Sequence, residues 1–316
     1  MNKYLLFILA TLLYACNTNV SPDGESKYQP FSPDGIPFVV ADSSWNVDSV
    51  GNHRAVVLVT DAKQNAVVAT LPWRRPDLRP ETKRVIVKNA ASGEEVKNVS
   101  LLEFSSEKGV IAFQPETGAG TYYIYYLPYK FRTGWGNHNK ANDYLPPKYA
   151  ADPEWEKVVK ENFASLPEAK VQRFETRSKF DAFTPMGLIA TENEIRELKE
   201  KHPENFVVFP EDRAFPISLK TVPARWATKA YDKGACPLVF NGYALPNEYY
   251  TWQIGVWASR KPLEKLRLTF SDFTHSSGKE TIPASDITCF NQEGINWDGK
   301  PVTFEVNVPE NKVQAL

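Results

Sequence analysis

Between positions 34 and 130, apolar residues come in short runs: Val56-Val57-Leu58-Val59, Val67-Val68-Ala69-Thr70-Leu71, Val85-Ile86-Val87, Val110-Ile111-Ala112-Phe113, and Tyr122 through Leu127. Turn-forming stretches such as Ser92-Gly93 and Thr117-Gly118-Ala119-Gly120 separate the later runs, which predicts antiparallel strands in a β-sandwich. In Tyr122-Tyr123-Ile124-Tyr125-Tyr126 both alternating faces are aromatic or apolar. That strand is expected at the centre of its sheet, with tyrosine hydroxyls reaching partners or water at the edges.

The period changes at Asp152. Asp152 suits an N-cap and Pro153 a first helical position, and Trp155, Val158, Val159, Asn162 and Phe163 fall on one helical stripe. A second helix is predicted from Thr191-Glu192-Asn193-Glu194, a capping box, to His202-Pro203, with Ile195 and Leu198 as its apolar side. Strand patterns return after Pro237: Trp252 through Trp257, Leu266 through Phe270, and Val302 through Val308, the last two strictly alternating. Val313-Gln314-Ala315-Leu316 continues the apolar register, and the chain reads as truncated there.

The order strand-rich, helical, strand-rich predicts a mainly β protein with two β-sandwich-like domains and a helical segment between them. The expected boundaries are a lipoprotein signal peptide over 1–15, a tether over 16–34 and an N-terminal β-sandwich over 35–134. A loop and helical connecting segment over 135–230 and a second, truncated β-sandwich over 231–316 complete the chain. Length agrees, since 316 residues at about 150 per domain suggest two domains.

The leader supplies an address. Lys3 precedes the apolar stretch 4–13, shorter than the roughly 20 residues of a spanning helix. Leu13-Tyr14-Ala15-Cys16 then has the form of a lipobox, so Cys16 is the expected lipidation site and the mature N-terminus. Acyl chains on Cys16 would moor the protein to a membrane. The expected location is therefore the cell envelope, lipid-anchored at the outer membrane or its periplasmic face. Residues 17–33, rich in Ser, Pro, Asp, Gly and Asn, read as the tether.

Composition narrows the partners. Lys and Arg number 37 against 38 Asp and Glu, a net charge of −1, which leaves no basic surplus to neutralise phosphates and argues against nucleic acid. Cys236 and Cys289 are the thiols left after Cys16, in a compartment that permits a disulfide; a bridge between them and two buried free thiols are both open. The four histidines, His53, His138, His202 and His275, are widely scattered, with no Cys-x-x-Cys, so neither metal nor cofactor is expected. No Gly-x-Ser-x-Gly elbow or Walker loop is present. The adjacent acids Glu211-Asp212 would face opposite ways in an extended segment and could not act on one bond together. They are expected to pair with Arg213 or Arg225 and fix a loop. No catalytic residue is assigned.

A loop of a different character is the candidate for sugar contact. Trp135-Gly136-Asn137-His138 offers a flat ring for pyranose C–H faces, with amide and imidazole groups for hydroxyls. Asp143 and Tyr144 lie just beyond. Contact with a glycan is expected from Trp135, Asn137, His138, Asp143 and Tyr144, whereas Trp155 is expected in a helix core.

Several motifs, in order, resemble a known family. They are Phe209-Pro210-Glu211-Asp212-Arg213 through Pro216-Ile217, Val222-Pro223-Ala224-Arg225-Trp226, and Asn247-Glu248-Tyr249-Tyr250-Thr251-Trp252-Gln253-Ile254-Gly255-Val256-Trp257. Cys289-Phe290-Asn291, Val306-Asn307-Val308-Pro309 and Lys312 through Leu316 follow. Together the chain from Gly35 to Leu316 resembles the N-terminal region of bacterial family 123 glycoside hydrolases. The resemblance implies β-sandwich-type modules ahead of a (β/α)₈ barrel. In that family the barrel carries an adjacent Asp-Glu pair that hydrolyses N-acetyl-β-galactosaminides of glycolipids, with the substrate's acetamido group as nucleophile. Such a barrel takes about 250 residues. No family catalytic residue therefore transfers to this chain. The implied partners are a glycan or glycolipid sugar and the missing C-terminal catalytic barrel, and this chain by itself is expected to be inactive. The alternatives are a complete surface glycan-binding lipoprotein without catalysis, or an enzyme using Glu211-Asp212.

Overall fold

The computed structural model describes residues 32–63, 65–77, 79–126, 129–130, 143–144, 149–229 and 239–316. The protein is mainly β, as its pattern predicts. It divides into two compact units, Lys27–Thr191 and Glu192–Leu316.

The first unit holds β1 (Phe38–Val40), α1 (Val47–Val50), β2 (His53–Val59), β3 (Val67–Leu71), β4 (Val85–Asn89), β5 (Val99–Phe104) and β6 (Gly109–Phe113). These are followed by β7 (Gly120–Tyr126), β8 (Tyr129–Lys130), β9 (Asp143–Tyr144), α2 (Pro153–Asn162) and β10 (Lys170–Thr176). A five-stranded sheet runs in the order β1-β10-β2-β7-β4, and a three-stranded sheet in the order β3-β6-β5. Phe113 on β6 meets Tyr122 on β7 with ring centroids 5.2 Å apart, joining the two sheets in one core.

As expected, β7 is an interior strand, paired on both sides. Tyr122, Ile124 and Tyr126 on one face are fully buried. Tyr125 on the other face packs with Val50, Ile86, Trp45 and Tyr123. The alternation of a strand thus explains why both faces of this segment are aromatic. Register does the same for β2: Ala55 and Val57 lie opposite Ile124 and Tyr122, while Arg54 turns to the other face.

Helix α2 forms where the pattern predicts it, with the Asp152 carboxylate accepting from the backbone N–H groups of Glu154 and Trp155. Trp155 and Val159 are buried against Ala66 and Ala112, so Trp155 is core as expected. Val158 and Phe163 are not; they are 57% and 47% exposed. The buried stripe is the narrow i, i+4 pair, and at Phe163 the α-helix gives way to a 3₁₀ turn, which rotates that side chain off the stripe.

Residues 135–230 contribute to both units. β10 lies between β1 and β2, parallel to the first and antiparallel to the second. Beyond Thr191, α3 (Glu192–Lys201) opens the second unit, followed by β11 (Val207–Asp212), α4 (Ala224–Lys229) and β12 (Trp252–Trp257). β13 (Leu263–Leu266), β14 (Phe273–Thr274), β15 (Thr281–Ile282), β16 (Glu293–Ile295), β17 (Pro301–Thr303), β18 (Val306–Val308) and β19 (Val313–Ala315) complete it. A three-stranded sheet β11-β12-β19 and three two-stranded ribbons make up its β structure.

Two expected strands differ in the structure. The expected strand over 266–270 ends at Leu266, because the side-chain amide of Gln292 replaces a partner strand: its Nε2 donates to the Leu266 carbonyl at 2.7 Å and its Oε1 accepts from the Leu268 N–H at 2.8 Å. The alternating run 302–308 is two strands. β17 pairs with β16 and β18 with β13, and the switch occurs where the Phe304 N–H turns to the Gln292 carbonyl.

In the core of this unit, the Phe209 ring on β11 lies over Gly255, its register partner on β12. Any Cβ at Gly255 would collide with that ring. Phe209 also stacks on Trp226 at 4.5 Å, and Trp226 meets Trp257 edge-on at 5.9 Å.

Candidate functional site

Of the expected sugar-contact residues, Trp135, Asn137 and His138 lie outside the described residues. The backbone of Asp143 and Tyr144 forms β9, paired with β8 so that Tyr144 lies opposite Tyr129. Cys16 and Cys236 also lie outside the described residues. Cys289 is buried and forms no disulfide among the described residues.

What the first unit does bring together is a buried polar cluster that begins at His53. His53 sits at the start of β2, opposite Thr176 on β10. Its Nδ1 is 3.0 Å from Nη1 of Arg75, and its Nε2 is 3.1 Å from the carbonyl oxygen of Asp181. Arg75 in turn donates Nε to Oδ2 of Asp77 at 2.5 Å, and Lys83 Nζ donates to Oδ1 of the same carboxylate. The Phe183 ring stacks on the imidazole at 4.5 Å, and the Tyr126 ring lies 6.3 Å away.

Burial and the neighbouring Arg75 charge push the His53 pKa down to about 4. Burial works against the Asp77 carboxylate, but Arg75 and Lys83 outweigh it and hold its pKa below the usual range. Burial raises the Tyr126 phenol well above its ordinary value, and its hydroxyl has no hydrogen-bond partner among the described residues. At neutral pH the cluster therefore holds a neutral imidazole, a neutral phenol and one carboxylate clamped by two cations. That arrangement fixes structure; it does not present a free acid or base.

On the opposite face of the same strand, the Arg54 guanidinium is enclosed. It lies over the Tyr123 ring at 3.6 Å and the Trp45 ring at 4.3 Å. Its Nε donates to Oε2 of Glu175 at 2.7 Å and its Nη1 to the Tyr125 hydroxyl at 3.2 Å. Glu175 also accepts from Arg173 Nε at 2.7 Å.

In the second unit the Glu211-Asp212 pair behaves as its spacing predicts. Glu211 accepts from Arg225 Nε at 3.2 Å, while Asp212 accepts from the Ala214 N–H at 2.8 Å and the Tyr250 hydroxyl at 3.3 Å. Arg213 pairs with Glu248 at 2.8 Å and lies over the Tyr250 ring at 4.7 Å. Burial, followed by the nearby Asp212 charge, raises the Tyr250 phenol. The Leu245 N–H and Arg213 lower the Glu248 carboxyl. The Asp212–Tyr250 and Arg213–Glu248 contacts fasten the 212–215 and 245–250 turns to each other. Among the described residues, no group of three or more His, Cys, Asp or Glu could hold a metal ion.

The His53 and Arg54 clusters carry little sequence signal. Each polar member reads as an ordinary surface residue, and only the placement of His53-Arg54 at the head of the apolar run Ala55-Val56-Val57-Leu58-Val59 hints that both are drawn inside.

No curated protein and no solved structure matches the chain. Residues 43–177 match the family described as glycoside hydrolase 123, N-terminal domain. The span runs from just after β1 to just after β10, covering α1, both sheets apart from β1, and both polar clusters up to Glu175. All the motifs that carry the resemblance drawn from the sequence lie beyond it, between 209 and 316. The match supports an N-terminal region like that of glycoside hydrolase 123 proteins, to which residues 43–177 are similar.

Proposed function

We propose that this chain is the non-catalytic N-terminal part of a lipid-anchored glycoside hydrolase that cleaves N-acetyl-β-galactosaminides of glycans or glycolipids, with the bond cleavage carried by a separate (β/α)₈ barrel. The carrying observation is the match of residues 43–177 to a glycoside hydrolase 123 N-terminal domain. The chemistry of the side chains supports a bracing role. Asp77, Glu175 and Glu211 are each engaged by arginine or lysine, and Glu211 and Asp212 bond to different partners instead of facing one substrate. Glycoside hydrolysis with two protein carboxylates needs them to flank a single bond.

The reading extends to address and substrate. Diacylglyceryl attachment at Cys16 moors the protein in the envelope, and Trp135, Asn137, His138, Asp143 and Tyr144 extend the sugar cleft. The test is turnover of a chromogenic N-acetylgalactosaminide by the purified chain, alone and fused to a family barrel. The expectation is no detectable rate alone and activity in the fusion; turnover by the chain alone would overturn the reading. Glycan binding by the isolated chain that is lost in Trp135→Ala, without turnover in the fusion, would instead make it a binding protein. Acyl labelling abolished by Cys16→Ala tests the anchor.

A further inference from the structure

The geometry points to an acid-sensitive latch in the first unit, in which the His53 ring clips the 178–183 turn to β2 and releases it when the ring takes up a proton. An arginine guanidinium only donates, so the 3.0 Å contact from Arg75 Nη1 makes His53 Nδ1 the acceptor. A carbonyl oxygen only accepts, so the 3.1 Å contact to Asp181 makes Nε2 the atom that carries hydrogen. The two contacts together fix one tautomer of a neutral ring.

A proton added at Nδ1 would set two donors face to face and place an imidazolium against the guanidinium. The ring has nowhere to turn, with Phe183 stacked on one side and Tyr126 near it. The charged groups around it do not offset the clash. Asp77 is already shared by Arg75 and Lys83. The Asp181 carboxylate accepts from Asn52 Nδ2 at 3.0 Å and Ser178 Oγ at 2.9 Å, with Arg177 4.0 Å away. Arg54, the next residue on β2, points to the opposite face, and Tyr126 offers a neutral phenol.

The turn that would let go is defined. Asn52 and His53 both bond to Asp181, Phe183 covers the ring, and Phe180 at its tip is 98% exposed. Its internal hydrogen bonds, Asp181 N–H to Ser178 and Ala182 N–H to Lys179, report its state.

The experiment is a pH titration of the intact chain with ¹⁵N-labelled histidine rings, His53 being assigned by its loss in His53→Gln, together with amide exchange at Asp181 and Ala182 corrected for the intrinsic pH effect. The expected result is an Nε2–H ring at neutral pH, a midpoint near 4, and a loss of about tenfold in protection of both amides with that midpoint. In Arg75→Gln the midpoint should rise toward an ordinary imidazole. An Nδ1–H tautomer, a wild-type midpoint near 6.5, or protection that stays constant while His53 protonates would each overturn the latch.

Discussion

Arg54 and Glu175 lie directly opposite each other on β2 and β10, and this register, not sequence proximity, brings the guanidinium and carboxylate to 2.7 Å. Both side chains are almost wholly buried. Removing one charge from such a pair leaves the other buried and uncompensated, which costs about 3–5 kcal/mol. Glu175→Leu should therefore destabilise the first unit by about that amount in urea unfolding. The double variant Arg54→Met with Glu175→Leu should recover most of the loss, because no buried charge is then stranded. A double variant no more stable than the single one would mean that the cation–π cage of Trp45 and Tyr123, not the ion pair, carries the energy.

Gly109 and Gly255 make a second, steric prediction. A Cβ at Gly109 would collide with the edge of the Trp73 indole, and one at Gly255 with the Phe209 ring. Both rings are fully buried and have no room to retreat. Overpacking of this kind costs about 1–3 kcal/mol, so Gly109→Ala and Gly255→Ala should each lower stability by that order in thermal or denaturant unfolding. Phe209→Leu, which shortens the colliding side chain, should relieve much of the Gly255→Ala penalty in a double-mutant cycle.

These contacts also mark where the sequence could and could not be read. β2, β3, β6, β7 and β12 announce themselves because their apolar residues recur at strand spacing, and α2 because Asp152-Pro153 is both cap and first turn. β10 does not. Its register with β2 shifts between Val171 and Arg173, which breaks the alternation, and Arg173 and Glu175 sit there as charges because Arg54 is across the ladder to meet one of them. Gln292 likewise ends β13 at Leu266 from a distance of 26 residues along the chain, which no local pattern reports. The Glu211-Asp212 divergence was legible because it follows from the two-residue period of a strand. The His53 cluster was not, since Arg75, Asp77, Lys83 and Asp181 converge on it only through the topology of the sheet.

The cap at α2 gives a local prediction. Asp152 accepts from two N–H groups of the first turn, and its own N–H donates to Asn98 Oδ1 at 2.7 Å. Asp152→Ala removes only the side-chain part of that arrangement and should cost about 1 kcal/mol. Asp152→Ser, which keeps an acceptor, should cost less. The loss should appear as faster amide exchange at Glu154 and Trp155, while the buried contact of Trp155 with Ala66 and Ala112 persists.

The pH dependence of stability follows from His53, whose folded pKa of about 4 lies below its ordinary 6.5. In that interval the unfolded chain binds a proton that the folded chain refuses, so acid favours unfolding. The stabilisation is fully present above pH 6.5, declines as pH falls, and levels off below about 4. A depression of this size corresponds to about 3 kcal/mol across the interval. Asp77, with its lowered carboxyl, adds a loss in the same direction at lower pH, below the ordinary carboxylate range. Urea unfolding of the wild type between pH 7 and pH 4 should show the decline, and His53→Gln should flatten it by about the histidine share while lowering stability at pH 7. A His53→Gln profile parallel to the wild type would assign the acid sensitivity in this range to groups other than His53.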